Sequence, residues 1–451
     1  MKFTSINPFN HQSFAETSLL IDHDIDLKIS LAENSQKKWK LIKLSDRIKA
    51  LTKLSSLLEN QLEVLATMIT LEMGKPIKES RAEILKCQSL CNHYVEFSEE
   101  YLIPTYISSF ATTSYVQNMP LGIIFGVMPW NFPFWQVFRF AVPSIIAGNA
   151  VLIKHAANTQ ECAKLIEKIF LEAGFPQGIY QNMPIDHDQA SKVIVHKNIK
   201  AVSFTGSTGA GRKIAEQTGK HLKKTLLELG GNNAFVVLRD ADIENSVDLA
   251  VKSRFLNNGQ SCIAAKRFII ERPIYQDFLD AFCFKVSNLK SGDPMFESTD
   301  LGPLARLDLA QNLNEQVKSS IDKGAKIVLG GTYDKFFHSP TVLTNVDTTM
   351  AAFREETFGP LASFSIANDK AHALFLASDS DFGLGMSIFT KDVEGLLPFI
   401  SNIADGAVFI NEMVKSDPRL PFGGTLNSGY GRELGRDGLL EFVNRQTIVI
   451  N

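Results

Sequence analysis

The sequence predicts an α/β protein made of two doubly wound lobes in tandem. Three observations lead there. Strand-like apolar runs alternate with helical patterns from about residue 121, and a second such series starts near residue 240. The length of 451 residues also fits two or three domains at roughly 150 residues each. An apolar fraction of 45% and a charged fraction of 21% describe an ordinary globular chain with ample core. With 46 basic and 49 acidic side chains the net charge is −3, which gives no electrostatic support to a dedicated nucleic-acid or acidic-lipid binder.

From the N-terminus, MKFTSINPFNHQSFAETSLL lacks a continuous apolar run and a small-residue cleavage site, which argues against a secretory signal. The first hundred residues read as mainly helical. In LSDRIKALTKLSSLLENQL, Ser45 is placed to cap, and Ile48, Leu51, Leu54 or Ser55, and Leu58 recur at helical spacing. A second helix, about 78–101, sets Ile84, Cys87, Cys91 and Tyr94 or Val95 along one stripe. Cys87 and Cys91 could be half a metal site, but His93 points away from the stripe, so small core residues are the better reading.

Residues 121–153 are long and apolar enough to mimic a membrane span. Pro129, Asn131, Pro133, Arg139 and Pro143 interrupt them, so a buried strand, a loop and a helix are expected, forming a candidate active-site wall. The strand-like runs that follow are 150–154, 200–206 and 234–238, after a first at 123–128. The helix at 159–173, with Cys162 packed in it, ends at Gly174 with Pro176 beyond. The second series holds strands at 267–271, 325–331, 361–367, 385–390 and 406–411, and a helix at about 275–290 containing Cys283. No Pro/Ser-rich linker divides the lobes, which should therefore share a tight cleft. Five dispersed cysteines in a chain this large argue against a disulfide framework and suit a reducing cytosol.

Several residues could carry chemistry. Lys154 ends a strand, and ligands of open α/β sheets bind beyond such ends. Gly206, Ser207 and Gly211 open a helix after another strand, where phosphate could approach backbone N–H groups; a simple tight turn is the alternative. Cys262 differs from the other cysteines in lying in a polar loop, NNGQSC, as a nucleophile would, although an idle loop cysteine remains open. Glu228 stands between leucines, where apolar neighbours would raise its pKa toward that of a general base. Asn131, within the apolar wall, could donate to an oxyanion. Asp186-His187-Asp188 reads as a solvated loop, and no metal is expected.

Taken together, MPWNFPFWQ, FTGSTGAG, LLELGGNN, NNGQSC, FREETFGP and LPFGGTLNSGYGRELG resemble, in order and spacing, the aldehyde dehydrogenase superfamily over nearly the whole chain. The resemblance is nearest to the short bacterial succinate-semialdehyde group. It implies two Rossmann-like lobes, a cofactor-binding lobe of residues 1–102 and 119–229 and a catalytic lobe of 230–428, with bridging strands at 103–118 and 440–451. It implies Cys262 as nucleophile, Glu228 as general base, and Asn131 with the Cys262 N–H as oxyanion donors. Lys154, Gly206, Ser207, Trp130, Gly230, Glu356 and Phe358 match cofactor-binding positions.

The position three residues after Lys154, a glutamate in many NAD-restricted members, is Ala157. NADP should then be used, or either NAD or NADP. Arg139, Ser416 and Phe422 match substrate positions. Arg139 invites an anionic ligand if it has no protein partner, and a structural salt bridge is the alternative. Where related enzymes can carry a second arginine this chain has Leu256, and Arg254 is a conjectural substitute. The expected reaction is oxidation of succinate semialdehyde, with a broad short-chain aliphatic aldehyde dehydrogenase as the alternative. The implied partners are a small aldehyde and further copies of the chain, as a homodimer or dimer of dimers, with no nucleic acid and no membrane.

Overall fold

The computed structural model describes residues 1–451. It opens with an antiparallel hairpin, β1 (Lys2–Ile6) and β2 (Ser13–Ser18), which the helical reading of this region did not contain. Four helices follow: α1 (Asp22–Trp39), α2 (Leu44–Asn60), α3 (Leu62–Met73) and α4 (Ile77–Leu102). The spacing in α2 buries Leu51, Leu54, Ser55 and Leu58 as expected. The helix begins before Ser45, however, with Lys43 at the cap position and no side-chain bond, so Ser45 caps nothing. In α4, Cys87 and Cys91 are fully enclosed in the core, as small apolar residues would be.

Beyond α4 come β3 (Thr105–Tyr106) and β4 (Thr113–Pro120), which form a three-stranded sheet with the last strand, Val443–Ile450. The first large sheet uses β5 (Ile123–Val127), β6 (Ala150–Lys154), β7 (Tyr180–Asn182), β8 (Ile199–Thr205) and β9 (Lys224–Glu228). Its connecting helices are α5 (Trp135–Ile146), α6 (Gln160–Glu172), α7 (His187–Val195) and α8 (Thr208–Lys220). The apolar stretch 121–153 thus resolves into strand, loop and helix, and no helix of the chain is long and apolar enough to cross a membrane. Asp186 corrects the reading of a solvated loop: it caps α7 in a reciprocal box with Gln189, because its carboxylate accepts the Gln189 N–H.

Strand order in this sheet is Gly429–Tyr430, β9, β8, β5, β6, β7, all parallel except the first. The chain runs outward from β5 through β6 to β7, then returns to the other side of β5 for β8 and β9. The order therefore reverses between β5 and β8. Such a reversal opens a crevice beyond the strands' carboxyl ends. Register aligns those ends, with Val127 opposite both Lys154 and Phe204, and Thr205 opposite Glu228.

The second lobe begins with β10 (Asn233–Val237), α9 (Ile243–Phe255), β11 (Ala265–Glu271) and α10 (Tyr275–Ser287). Its seven strands run in the order 326–329, 341–344, 361–367, β11, β10, 386–389, 408–410, antiparallel only at the first pair. Ala234 and Val236 face one core cluster while Phe235 and Val237 face another. Both faces are covered, which is why these strands read as unbroken apolar runs rather than as alternation.

Candidate active site

The carboxyl edge of the first sheet gathers the expected residues. Lys154 is the last residue of β6 and Glu228 the last of β9, while Asn131 and Trp130 lie in the loop after β5. Gly206 and Ser207 follow β8. Ser207 caps α8, its hydroxyl accepting the Ala210 N–H. A side chain at Gly211 would strike Leu229, so glycine there lets α8 pack against the sheet.

Cys262 sits half-buried on a loop built from unusual backbone. Asn257, Asn258 and Gly259 take successive left-handed conformations at φ 58, 54 and 74°. Asparagine tolerates that region, and at Gly259 a Cβ would lie 2.3 Å from the Gly359 carbonyl. Side chains then lace the loop in place. Asn131 Nδ2 donates to the Gln260 carbonyl at 3.0 Å, and Asn257 Nδ2 donates to the Asn131 carbonyl at 2.7 Å. The buried Lys266 ammonium donates to the carbonyls of Gly231, Ser261 and Cys262 and pairs with Glu356 at 3.1 Å. The Cys262 N–H itself finds no acceptor within the chain.

Burial pushes the Cys262 thiol up to about 11, with Glu356 and Glu228 adding to the rise while Arg139 and Lys266 oppose it. Glu228 is enclosed, one carboxyl oxygen has no hydrogen-bond partner, and burial raises its pKa well above the usual range. The burial that favours its protonated form also makes the ionised carboxylate a stronger base than an ordinary glutamate.

One pocket is lined by Cys262, Ser261, Leu256, Arg139, Ser416 and Phe422, among others. It joins the candidate nucleophile to all three substrate candidates. The premise of an unpartnered Arg139 does not survive, because α5 carries it against the buried Glu433 in an ion pair. Its guanidinium also lies 4.8 Å from the Phe422 ring centroid. Burial raises the Glu433 pKa and Arg139 lowers it. The suggested role of Arg254 is overturned. It is fully enclosed outside the pocket wall and donates to the carbonyls of Ala265, Gly259 and Gly359 at 3.0, 2.7 and 2.7 Å. Leu256 takes the place on the wall instead.

Lys154, Gly206 and Ser207 lie along the sheet edge rather than in that pocket. Lys154 is buried, which lowers its pKa while Asp186 raises it, and its amine takes part in no ion pair of the chain, which leaves it open to a phosphate. Ala157 is exposed in the turn after β6 and presents no carboxylate there. Glu356 accepts the Gly231 N–H at 3.0 Å, and a Cβ at Gly230 would lie 2.4 Å from its other oxygen. The Trp130 and Phe358 rings meet edge to face at 5.7 Å. These residues fit a dinucleotide: a free amine, a helix N-terminus and an oriented carboxylate.

Three residues here escaped sequence reasoning: Lys86, Lys266 and Glu433. Glu433 lay within the GRELG segment, and the other two gave no local signal.

A family model described as the aldehyde dehydrogenase family matches residues 1–448. The chain is 42% identical, over all of both chains, to a protein of Synechocystis sp. named a probable NADP(+) succinate-semialdehyde dehydrogenase. It is 44% identical to the NAD(P)+ succinate semialdehyde dehydrogenase Sad of Escherichia coli K12, across 98% of this chain and 97% of that one. Its fold matches the crystal structure of succinic semialdehyde dehydrogenase from Streptococcus pyogenes in complex with NADP+. There the TM-score is 0.97, at 34% identity and 99% coverage of each chain.

Proposed function

The chain belongs to the aldehyde dehydrogenase family, and we propose that it oxidises succinate semialdehyde to succinate, using NADP or NAD. The observation that carries the substrate is the single pocket shared by Cys262, Arg139 and Ser416. The Cys262 thiol gives up its proton to solvent as its sulfur attacks the carbonyl carbon, and the oxygen takes up the displaced electron pair. Asn131 Nδ2 has a second hydrogen beyond the one given to Gln260, and with the Cys262 N–H it holds that oxyanion. Loss of the hydride, for which bound NADP supplies the acceptor, leaves a thioester on Cys262. Glu228 takes a proton from water, the water attacks the thioester, and the Cys262 sulfur leaves as succinate is released.

Lys154, Gly206, Ser207, Trp130, Gly230, Glu356 and Phe358 hold the cofactor in this reading, and Ala157 leaves room for a 2′-phosphate. We assign residues 1–102 and 119–229 to the cofactor lobe and 230–428 to the catalytic lobe. The strands at 103–118 and 440–451 bridge copies in a homodimer or dimer of dimers; the pairing of Thr113–Pro120 with Val443–Ile450 leaves edges for such contact. Five free thiols suit a cytoplasmic setting.

The test is kcat/KM for succinate semialdehyde, glutarate semialdehyde and butanal, each with NADP and with NAD. The acid aldehydes should lead butanal by about tenfold or more, the value of one charge-assisted contact. Equal efficiencies would instead support a broad aliphatic aldehyde dehydrogenase. That second reading draws on the Arg139–Glu433 pair, which already matches the arginine's charge.

A further inference from the structure

The substrate pocket has two cations on its wall, Arg139 and Lys86. They differ in what they are bound to. Arg139 faces the carboxylate of Glu433. Lys86 takes part in no ion pair of the chain; its ammonium donates to the Ser416 hydroxyl at 2.7 Å and sits 4.3 Å from the Trp135 ring centroid. It comes from α4, where Glu79, Glu83 and Lys86 fall at i, i+4 and i+7 and reach the pocket together.

Both acids on that face are already engaged. Glu83 pairs with Lys75 and accepts the Phe134 and Trp135 N–H groups at the start of α5, each at 2.9 Å. Glu79 accepts the Asn257 N–H at 2.7 Å. Lys86 is therefore the pocket cation whose charge no side chain answers. Ser416, having accepted from Lys86, still has its own hydroxyl hydrogen to give.

We propose that Lys86 joins Ser416 and Arg139 in the anion anchor that sets substrate choice: the ammonium pairs with the distal carboxylate of the aldehyde and the Ser416 hydroxyl donates to the same group. Arg139, whose Nη2 is buried without a hydrogen-bond partner, lines the same pocket beside them. This rests on the acid-aldehyde reading above and adds to it the residue that reads the acid.

A pH signature follows. Burial and the neighbouring Arg139 lower the Lys86 pKa to about 8, against the raising influence of Glu83, Asp417 and Cys87. Glu79 and Cys262 also line the pocket, and Glu433 stands behind Arg139. The ammonium is present below about 8 and lost above it, so anchoring weakens as pH rises through that value.

The experiment measures kcat and KM for succinate semialdehyde and butanal with wild type, Lys86→Met and Lys86→Arg between pH 6.5 and 9. Lys86→Met should lower the selectivity ratio about tenfold to a hundredfold, chiefly through KM for the acid aldehyde. Lys86→Arg should restore most of it and remove the rise in KM above pH 8. If Lys86→Met proves unstable, Lys86→Gln serves, with competition by succinate against butanal as the readout. Its inhibition constant should rise by a similar factor. A wild-type ratio retained in Lys86→Met or Lys86→Gln overturns the anchor alone. A wild type that does not prefer succinate semialdehyde to butanal overturns the substrate reading, and the anchor with it.

Discussion

Two groups of cations surround Cys262. On the scaffold that shapes its loop, Arg254 and Lys266 direct their donors mainly at backbone carbonyls, from Gly231, Gly259, Ser261, Cys262, Ala265 and Gly359. On the pocket wall, Arg139 meets a carboxylate and Lys86 meets a hydroxyl. Burial does not separate the groups, since Arg139 and Arg254 are both almost fully enclosed. The acceptor separates them. A cation held mainly by fixed carbonyls is a brace, whereas one resting on a hydroxyl keeps charge for a ligand.

The largest effect that tests this division lies at its centre. Cys262→Ala should bring oxidation of every aldehyde to background, because no covalent adduct forms. Near-full turnover by the purified variant would sink the covalent route. Asn131→Ala should lower kcat on acid and neutral aldehydes alike by about 10²–10³, roughly 2.7–4 kcal/mol of barrier, as measured by steady-state kinetics. An effect confined to acid aldehydes would move Asn131 from the reaction centre to recognition.

Arg254→Leu leaves buried carbonyls without their donor. It should destabilise the fold by about 3 kcal/mol, read from the urea midpoint, with the selectivity ratio of the surviving enzyme intact. A collapse of that ratio would erase the distinction between brace and wall. The smallest change is Ala157→Glu, outside both groups. Its carboxylate should lower the efficiency ratio of NADP over NAD by about tenfold, and an unchanged ratio would place the 2′-phosphate elsewhere.

Much of this architecture could be read from the chain. β6 and the strand 361–367 end where their apolar runs end, because both faces of each sheet are covered and the runs are unbroken. β9 went unread because Lys224–Glu228 offers only two leucines between charged residues, too little pattern for any period. The hairpin at the start was missed for a similar reason, its strands being short and largely polar. Among site residues, Cys262 declared itself by a polar loop and Asn131 by an apolar one.

Lys86 could not declare itself. On an isolated helix it belongs to the charged side opposite Ile84, Cys87 and Cys91, and only packing against Trp135 and Ser416 makes it a pocket residue. Glu433 is invisible for the same reason, since its meeting with Arg139 depends on the chain returning from the second lobe to the first. The sequence motif locates such a residue without naming its partner.

The half-buried Cys262 thiol, held up to about 11, has a consequence for survival in a hostile medium. Peroxides and alkylating agents react with the sulfur anion, and at neutral pH the resting protein keeps very little of it. An enzyme whose substrates are themselves electrophiles thus meets the wrong ones with its Cys262 sulfur mostly protonated.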